Sequence, residues 1–332
     1  MKQIDFVFRT ILAELAQRVA AAPTSAFDVE GRFVPVAVKG RRYWYFDHRG
    51  AGGGKVRKYV GPDDDETTQT VAQFRALKDD ASARRKMVRM LTREADLPAP
   101  DPLAGKIIRC LAQAGLFRRD CLLIERHAYA CFPACLGMQL PQVPWERTQT
   151  GICLCVHAAA DIATIRDVLR STDRSFAPAS FSAARQGDVR FANDDGFWIE
   201  LAAPTLLGAY LVEDPAKAVM LYNSGIEVRV PRPERYAIHE LMMSARADAD
   251  DGILVREYFR KRALVMMQAL LGVGRQADLA EAFEAAWSRN DTWKELIERG
   301  MTLIDDIDLR TRILEGLTQG MQDIGHDPAH VH

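Results

Sequence analysis

Six cysteines, all between residues 110 and 155, are the side chains whose type suits metal or redox chemistry. Cys131 and Cys135 are spaced to share one face of a helix, and Cys153 and Cys155 to share one face of a strand. Neither pair has the Cys-x-x-Cys spacing of a zinc site, and no second pair completes four ligands. The pattern favours reduced structural thiols, and it predicts neither a metal site nor a disulfide framework.

Basic and aromatic residues are interleaved in the segment 39–58, which could therefore contact phosphates and stack on bases. The alternative is that the aromatic rings pack against flanking helices while the cations form a solvated face. A second basic run at 84–93 is a solvated helix face or an extension of the same surface. The predicted nucleic-acid-binding residues are Arg41, Arg42, Lys55, Arg57 and Lys58, which surround Tyr43, Trp44 and Tyr45.

The remaining candidates do not form a recognised catalytic motif. His127 and His239 stand alone in predicted helices, and we interpret them as buried core or pocket residues rather than catalytic bases. Three aspartates at 305–308 lack the glycine and the distant glutamate of a calcium loop, so they predict a helix start. The sequence contains no P-loop, dinucleotide fingerprint or Gly-x-Ser-x-Gly motif.

The composition is that of an ordinary globular protein. The chain has 332 residues, of which 48% are apolar and 27% charged, and this length argues for about two domains. Collagen-like, low-complexity and largely disordered chains are excluded. Because 44 Lys and Arg residues balance 45 Asp and Glu residues, nucleic-acid binding would require a local basic patch.

No apolar run reaches the roughly 18 residues that span a bilayer. The longest candidate, Leu201–Val212, is interrupted by Pro204. Residues 1–22 have the spacing of an amphipathic helix and lack the unbroken apolar run of a secretory signal. The sequence therefore predicts a cytoplasmic protein without a membrane partner, and it leaves the oligomeric state open.

The elements that must position these residues fall into three predicted regions, in an α+β order. Residues 1–97 predict a helix, a β-meander and a long helix, and the prolines at 98, 100 and 102 mark the boundary that follows. Residues 98–232 predict an α/β core, 233–325 predict helices only, and 326–332 predict a frayed tail. The predicted strands are 32–38, 41–47, 56–60, 121–124, 152–156, 189–192, 197–201 and 226–230, and the predicted helices are 1–22, 66–95, 103–114, 126–136, 162–169, 234–246, 253–271, 276–288, 291–300 and 305–321.

Several short strings along the chain occur together in one known family, and the segment 224–239 is the most specific of them. The strings are Tyr43-Trp44-Tyr45, Tyr59-Val60-Gly61-Pro62, Gly115-Leu116-Phe117-Arg118, His127-Ala128-Tyr129, Leu201-Ala202-Ala203-Pro204, Ser224-Gly225-Ile226 and the segment 230–239. Through these strings, residues 10–300 resemble a bacterial nucleotidyltransferase-like family, a branch of the polymerase-beta-type nucleotidyltransferase superfamily. The resemblance implies a mixed sheet with flanking helices between the N-terminal unit and a helical C-terminal extension.

In that superfamily, a Gly-Ser or Gly-Thr pair cradles the triphosphate and three carboxylates hold the Mg²⁺ ions that clamp the attacking and leaving oxygens. The resemblance places Glu125-Arg126 at the glycine pair. It places Gly151 and Cys153 at the two aspartates of the Asp-x-Asp strand, while Glu200 keeps the third acid.

The C-terminal helices depart from the family as well. Glu240 follows His239 where the family usually carries lysine, and Leu264-Val265 replaces a Lys-Asp pair. One carboxylate cannot hold two metal ions, so we expect a degenerate site. Its candidate residues are Glu200 as the retained catalytic acid and Arg126 and His127 as nucleotide contacts.

The leading hypothesis is a catalytically degenerate nucleotidyltransferase-fold protein that binds a nucleotide, a nucleic acid or a protein partner. One alternative is an active metal-dependent enzyme that transfers an NMP from an NTP to RNA or protein, and this alternative alone requires Mg²⁺ as a cofactor. The second alternative is a nucleic-acid-binding protein that uses the N-terminal β-meander.

Overall fold

The computed structural model describes residues 1–23, 27–49, 54–118, 121–142, 151–156, 159–180, 188–203, 206–246 and 253–331. The chain begins with a two-residue strand, β1 (Lys2–Gln3), and helix α1 (Phe6–Ala21). Asp5 caps this helix, since its side chain accepts a hydrogen bond from the Val7 N–H at 2.9 Å. The buried face of α1 contains Leu12, Leu15 and Val19.

A three-stranded antiparallel meander follows, close to its predicted bounds. The tight turn between its first two strands needs a left-handed backbone, and Lys39 and Gly40 have φ values of +50° and +80°. Its strands pair in the order β2 (Arg32–Val38), β3 (Arg41–Arg49) and β4 (Lys55–Pro62).

Helix α2 (Asp65–Arg93) covers one face of the meander. The rings of Phe33 and Phe46 lie 5.0 and 5.5 Å from that of Phe74 in edge-on geometry. Such aromatic contacts contribute about 1 kcal/mol each beyond the area they bury.

The helix predicted at 126–136 is two helices, α4 (Glu125–Tyr129) and α5 (Phe132–Leu136). Pro133 lies in the first turn of α5, and its missing N–H and its ring prevent α4 from continuing through it. The neighbouring elements are α3 (Pro102–Gln113), β5 (Cys121–Leu123) and β6 (Met138–Gln139), which pairs with β1.

A five-stranded mixed sheet confirms the expected α+β class. The second and third strands in its spatial order run parallel to each other, and every other pair of neighbouring strands is antiparallel. The parallel pair is joined by a long crossover that contains helix α6 (Ala159–Thr172). In spatial order the strands are β5, β7 (Gly151–Val156), β10 (Trp198–Ala202), β9 (Val189–Ala192) and β8 (Ala177–Pro178).

A separate hairpin joins β11 (Ala216–Met220) to the predicted strand β12 (Ile226–Val230). The sequence analysis missed β11, because its alanines and lysine have weak strand preference and it forms only against β12. The apolar run 201–212 is the end of β10 and helix α7 (Leu206–Val212). Within the described ranges, no helix is both long enough and apolar enough to cross a membrane.

Five C-terminal helices lie within two residues of their predicted bounds. They share one hydrophobic core with the mixed sheet, from Ala104 to Val331, so residues on both sides of position 233 pack together. A second core joins α1 and α2 to Leu97 and Leu221. The helices are α8 (Pro233–Arg246), α9 (Ile253–Gly272), α10 (Gln276–Trp287), α11 (Asp291–Thr302) and α12 (Ile307–Asp323).

Candidate functional site

The two parallel strands of the mixed sheet present six side-chain positions on the face opposite their core, and the four at the beginnings of the strands concern the site. Because side chains alternate along a strand, this face is opposite the fully buried Ile152, Leu154 and Ile199. Trp198 pairs with Gly151 and Glu200 pairs with Cys153 across β7 and β10. We call this set the β7–β10 face: Gly151, Cys153, Trp198 and Glu200.

Glu200 already has a cationic partner on this face. Arg190 lies directly opposite it on β9, and its Nη2 donates to Glu200 Oε2 at 2.5 Å. The guanidinium of Arg190 also lies 4.5 Å above the ring of Trp198. The side chains of Arg190 and Glu200 are only 20% and 22% exposed, so solvent screens their attraction less than that of a surface pair. The retained acid is therefore engaged by protein rather than open to a metal.

Gly151 cannot be replaced by aspartate without moving its neighbour. A Cβ atom at this position would lie 2.2 Å from the ring of Trp198. Non-bonded carbon atoms are in contact at about 3.5–4.0 Å. The Trp198 indole thus occupies the space that a metal-binding side chain at 151 would need.

Arg126 belongs to α4, and its guanidinium lies at the beginning of β7. Its Nη2 and Nε donate to the Gly151 carbonyl at 3.0 and 3.2 Å. Its Nη2 is also 3.4 Å from the carboxylate of Asp101, which caps α3. With 45% of its side chain exposed, Arg126 presents a cation beside the β7–β10 face.

Glu125 approaches the same face from α4. Its backbone is left-handed, with φ of +55°. Burial raises the pKa of the Cys153 thiol, and the negative charges of Glu125 and Glu200 raise it further. The two carboxylates therefore both lie near Cys153, which stays a neutral thiol.

A buried arginine on α9 holds Glu125 in place. Arg262 is 1% exposed, and its Nη1 lies 3.2 Å from Glu125 Oε2. Cation–π contacts with several rings compensate a desolvated guanidinium by about 2 kcal/mol each. Those rings are Tyr258, Tyr236 and Tyr129, whose centroids lie 4.7, 4.9 and 5.3 Å from the guanidinium carbon; the Tyr258 hydroxyl also accepts a hydrogen bond from Arg262.

A second carboxylate, from α8, meets the same arginine. Glu240 is 1% exposed, and its Oε2 lies 3.3 Å from Arg262 Nε. Burial, and then the charge of Glu125, raise the pKa of Glu240 well above its ordinary value, and burial lowers the pKa of Arg262. The guanidinium thus lies between an acid of α4 and an acid of α8.

A family model described as a nucleotidyltransferase matches residues 103–208 and 202–288. The matched segments together cover more than half of the chain. The chain belongs to this nucleotidyltransferase family. No curated protein and no solved structure matches it. The matched region contains the whole β7–β10 face and Arg262, whereas the β-meander lies outside it.

The chemistry of this nucleotidyltransferase superfamily implies Mg²⁺, and the described residues do not fit a two-metal site. Among them, no group of three or more His, Cys, Asp or Glu side chains is arranged to hold a metal ion. Glu125 and Glu200 are paired with arginines, Gly151 offers no ligand, and the neutral thiol of Cys153 is a poor ligand for a cation that prefers oxygen. Residues 143–150, 157–158 and 181–187, which flank β7 and precede β9, lie outside the described ranges.

His127 is placed differently from its neighbour Arg126. It is 3% exposed, and burial lowers its pKa to about 3. The imidazole is therefore neutral at physiological pH and lies inside the protein. All six cysteines are free thiols.

Arg190 and Arg262 were not among the predicted site residues. The predicted strands 189–192 and 197–201 would place Arg190 opposite Ile199, whereas the loop extends through the buried Phe197 and shifts the pairing by one residue to Glu200. Glu240 was the feature of the sequence that could have pointed to a buried cation such as Arg262, because an acid in an apolar helix requires a cation nearby.

The predicted nucleic-acid-binding residues of the meander lie on both faces of its sheet. Lys55 and Arg57 bind the buried carboxylate of Asp47, with contacts at 3.1 and 2.6 Å, and they hold the pKa of Asp47 well below its usual range. Arg42 Nε lies 3.3 Å from Asp63.

The other two meander candidates, Arg41 and Lys58, are exposed and form no ion pair with a described residue. Lys58 pairs with Phe46 and lies on the α2 side of the sheet. Trp44 and Phe46 are buried there. The tyrosines of β3 and β4 point to the opposite side.

Proposed function

We propose that this chain is a catalytically degenerate nucleotidyltransferase-fold protein that binds a nucleotide at the β7–β10 face without transferring it. The observation that carries the proposal is the Trp198 ring, which fills the space of a side chain at position 151. In-line transfer by two metals needs hard oxygen ligands on this strand, and the strand offers a glycine and a thiol there.

The cations beside the face support nucleotide binding in the absence of a metal. Among the described residues, Arg126 binds a neutral carbonyl and one carboxylate, the latter at 3.4 Å. A phosphate group forms stronger, bidentate hydrogen bonds with a guanidinium than a carbonyl does. Arg126 is therefore the proposed phosphate contact, Arg190 the second cation within reach, and the buried His127 a residue that supports α4.

The proposal predicts nucleotide binding that survives chelation. Isothermal titration with each of the four NTPs should give the same Kd in EDTA and in Mg²⁺ for the NTP that binds, since arginines supply the positive charge. Arg126→Gln should raise that Kd about tenfold or more through loss of charged hydrogen bonds. The matched control is Arg166→Gln, which removes an exposed arginine of α6 that pairs with Asp167.

The same preparation is then incubated with labelled NTP, RNA and either Mg²⁺ or Mn²⁺. We expect no incorporation of label into RNA or into the protein. Incorporation that disappears in Glu200→Gln would establish the active-enzyme alternative instead, and binding that requires Mg²⁺ would also contradict the proposal.

A further inference from the structure

The side of the meander that faces away from α2 is an exposed, organised surface. Strand alternation puts the even-numbered rings of β3 against α2 and the odd-numbered residues outward. We call this side the outer face of the meander: Arg32, Val34, Val36, Arg41, Tyr43, Tyr45, Asp47, Arg49, Lys55, Arg57 and Tyr59.

Cations and rings occupy separate rows across this face. In one row Arg32, Asp47 and Arg57 are paired across all three strands. The next row contains Tyr45 beside Tyr59, and it lies about 7 Å along the strands because it is two residues away. Arg57 also lies 6.0 Å above the Tyr45 ring, so the two rows are in contact.

The tyrosine rings form a contiguous platform in which Tyr43 and Tyr45 are half-buried. The centroids of Tyr45 and Tyr59 are 5.5 Å apart and those of Tyr43 and Tyr59 are 6.2 Å apart. Tyr59 is 51% exposed. None of the three hydroxyl groups has a hydrogen-bond partner among the described residues. These rings are thus available for contacts beyond the fold.

Residues 32–62 are basic, whereas the rest of the chain has more acidic than basic residues. Residues 32–62 contain eight of the 44 Lys and Arg residues and one of the 45 Asp and Glu residues. That one acid, Asp47, is 4% exposed and is held by Arg57 and Lys55. Its carboxylate fixes their positions, and because Arg32 lies near it as well, three cations surround one acid and the local charge stays positive.

We propose that the outer face of the meander binds single-stranded RNA. Bases of a single strand expose their faces and stack on Tyr45 and Tyr59. Phosphates meet the cations of this face, which are Arg41, Arg49, Lys55 and Arg57. A duplex hides those base faces within its own stack. The free tyrosine hydroxyls suit the ribose 2′-hydroxyl, which both donates and accepts hydrogen bonds and distinguishes RNA from DNA.

The test uses fluorescence anisotropy of the full chain with a labelled 12-nucleotide RNA. We expect saturable, salt-sensitive binding to RNA, weaker binding to DNA of the same sequence, and no competition by duplex RNA. Tyr45→Leu with Tyr59→Leu should raise Kd about tenfold or more by removing both stacking rings. Arg41→Gln with Arg49→Gln should reduce the slope of log K against log salt by about 1.4, since each phosphate contact on a single strand contributes about 0.7.

Two control variants make the assignment specific. Arg299→Gln with Arg312→Gln removes the same charge from exposed positions of α11 and α12, and it should leave Kd unchanged. Arg126→Gln should also leave RNA binding unchanged, which separates this surface from the nucleotide site. Circular dichroism checks the fold of each variant, and the arginine variant decides alone where the tyrosine variant does not fold.

Three results would overturn the proposal. The first is an unchanged Kd in both outer-face variants, and the second is equal or tighter binding of duplex RNA or of matched DNA. The third is tighter binding of a poly-glutamate peptide that depends on the same residues, which would assign the face to an acidic protein partner.

Discussion

The residue that organises the carboxylates beside the β7–β10 face is a basic one. Arg262 lies between Glu125 and Glu240 and is ringed by tyrosines. Its Nη2 has no hydrogen-bond partner among the described residues, so ion pairs and rings offset the cost of its burial. A sequence without the fold shows only that Glu240 is unusual. It does not show which of the basic residues reaches it, because the partner depends on how α8 crosses α9.

Removing this guanidinium should destabilise the protein strongly. Arg262→Met leaves Glu240 buried without a counter-charge, and we expect a loss of about 3–5 kcal/mol in the free energy of unfolding by urea. The double variant Arg262→Met with Glu240→Gln should lose less, because the fully buried carboxylate is gone and only the partly exposed Glu125 loses its cation. Lys261→Met, at an exposed position next to it, should change stability by less than about 0.5 kcal/mol. An Arg262→Met protein as stable as the Lys261 variant would contradict the buried-charge account.

The burial of His127 makes the free energy of unfolding depend on pH above the range in which carboxylates titrate. Its pKa falls from 6.5 to about 3 on burial, so the unfolded chain binds a proton below pH 6.5 that the folded protein does not bind. Stability therefore decreases as pH falls, by about 2 kcal/mol between pH 7 and pH 5. Urea unfolding at both values should show this loss in the native protein and a smaller one in His127→Asn. Equal losses would exclude His127 as the cause.

Strands β7 and β10 could be predicted as elements, whereas a contact between their side chains could not. Both strands were predicted from the sequence, at 152–156 and 197–201, and the resemblance placed Gly151, Cys153 and Glu200 at the positions of the acids. The strands then bring Cys153 beside Glu200 in parallel pairing. The contact of Trp198 with Gly151 was beyond prediction, because it depends on register between strands separated by a crossover.

The Gly151–Trp198 contact should appear as a coupling energy. Gly151→Asp should cost about 1–3 kcal/mol or more of stability, since the new side chain overlaps the indole. In a Trp198→Ala background the same substitution should cost less, and a double-mutant cycle measures the difference. Gly54→Asp is the matched control, because nothing lies within 4 Å of a Cβ there. Additive effects in the cycle would contradict a direct clash.

For the whole molecule, composition and periodicity were sufficient for the α+β class, the meander and the five C-terminal helices. They missed the pairing of β1 with β6 and of β11 with β12, since short strands form through distant partners rather than local preference. The near-neutral total charge also conceals a basic meander on an otherwise acidic chain. The family match at 103–288 and the basic surface therefore occupy different parts of the molecule.

Gly151 and Trp198 also constrain the order in which substitutions are tolerated during evolution. An aspartate at 151 is admitted only after Trp198 has become smaller, because the ring fills its space. Losing Trp198 first removes the ring that lies against Arg190, before any new acid is present to compensate. Either order passes through an intermediate less stable than the present protein. A metal-binding β7 strand is thus separated from this sequence by single variants of lower stability.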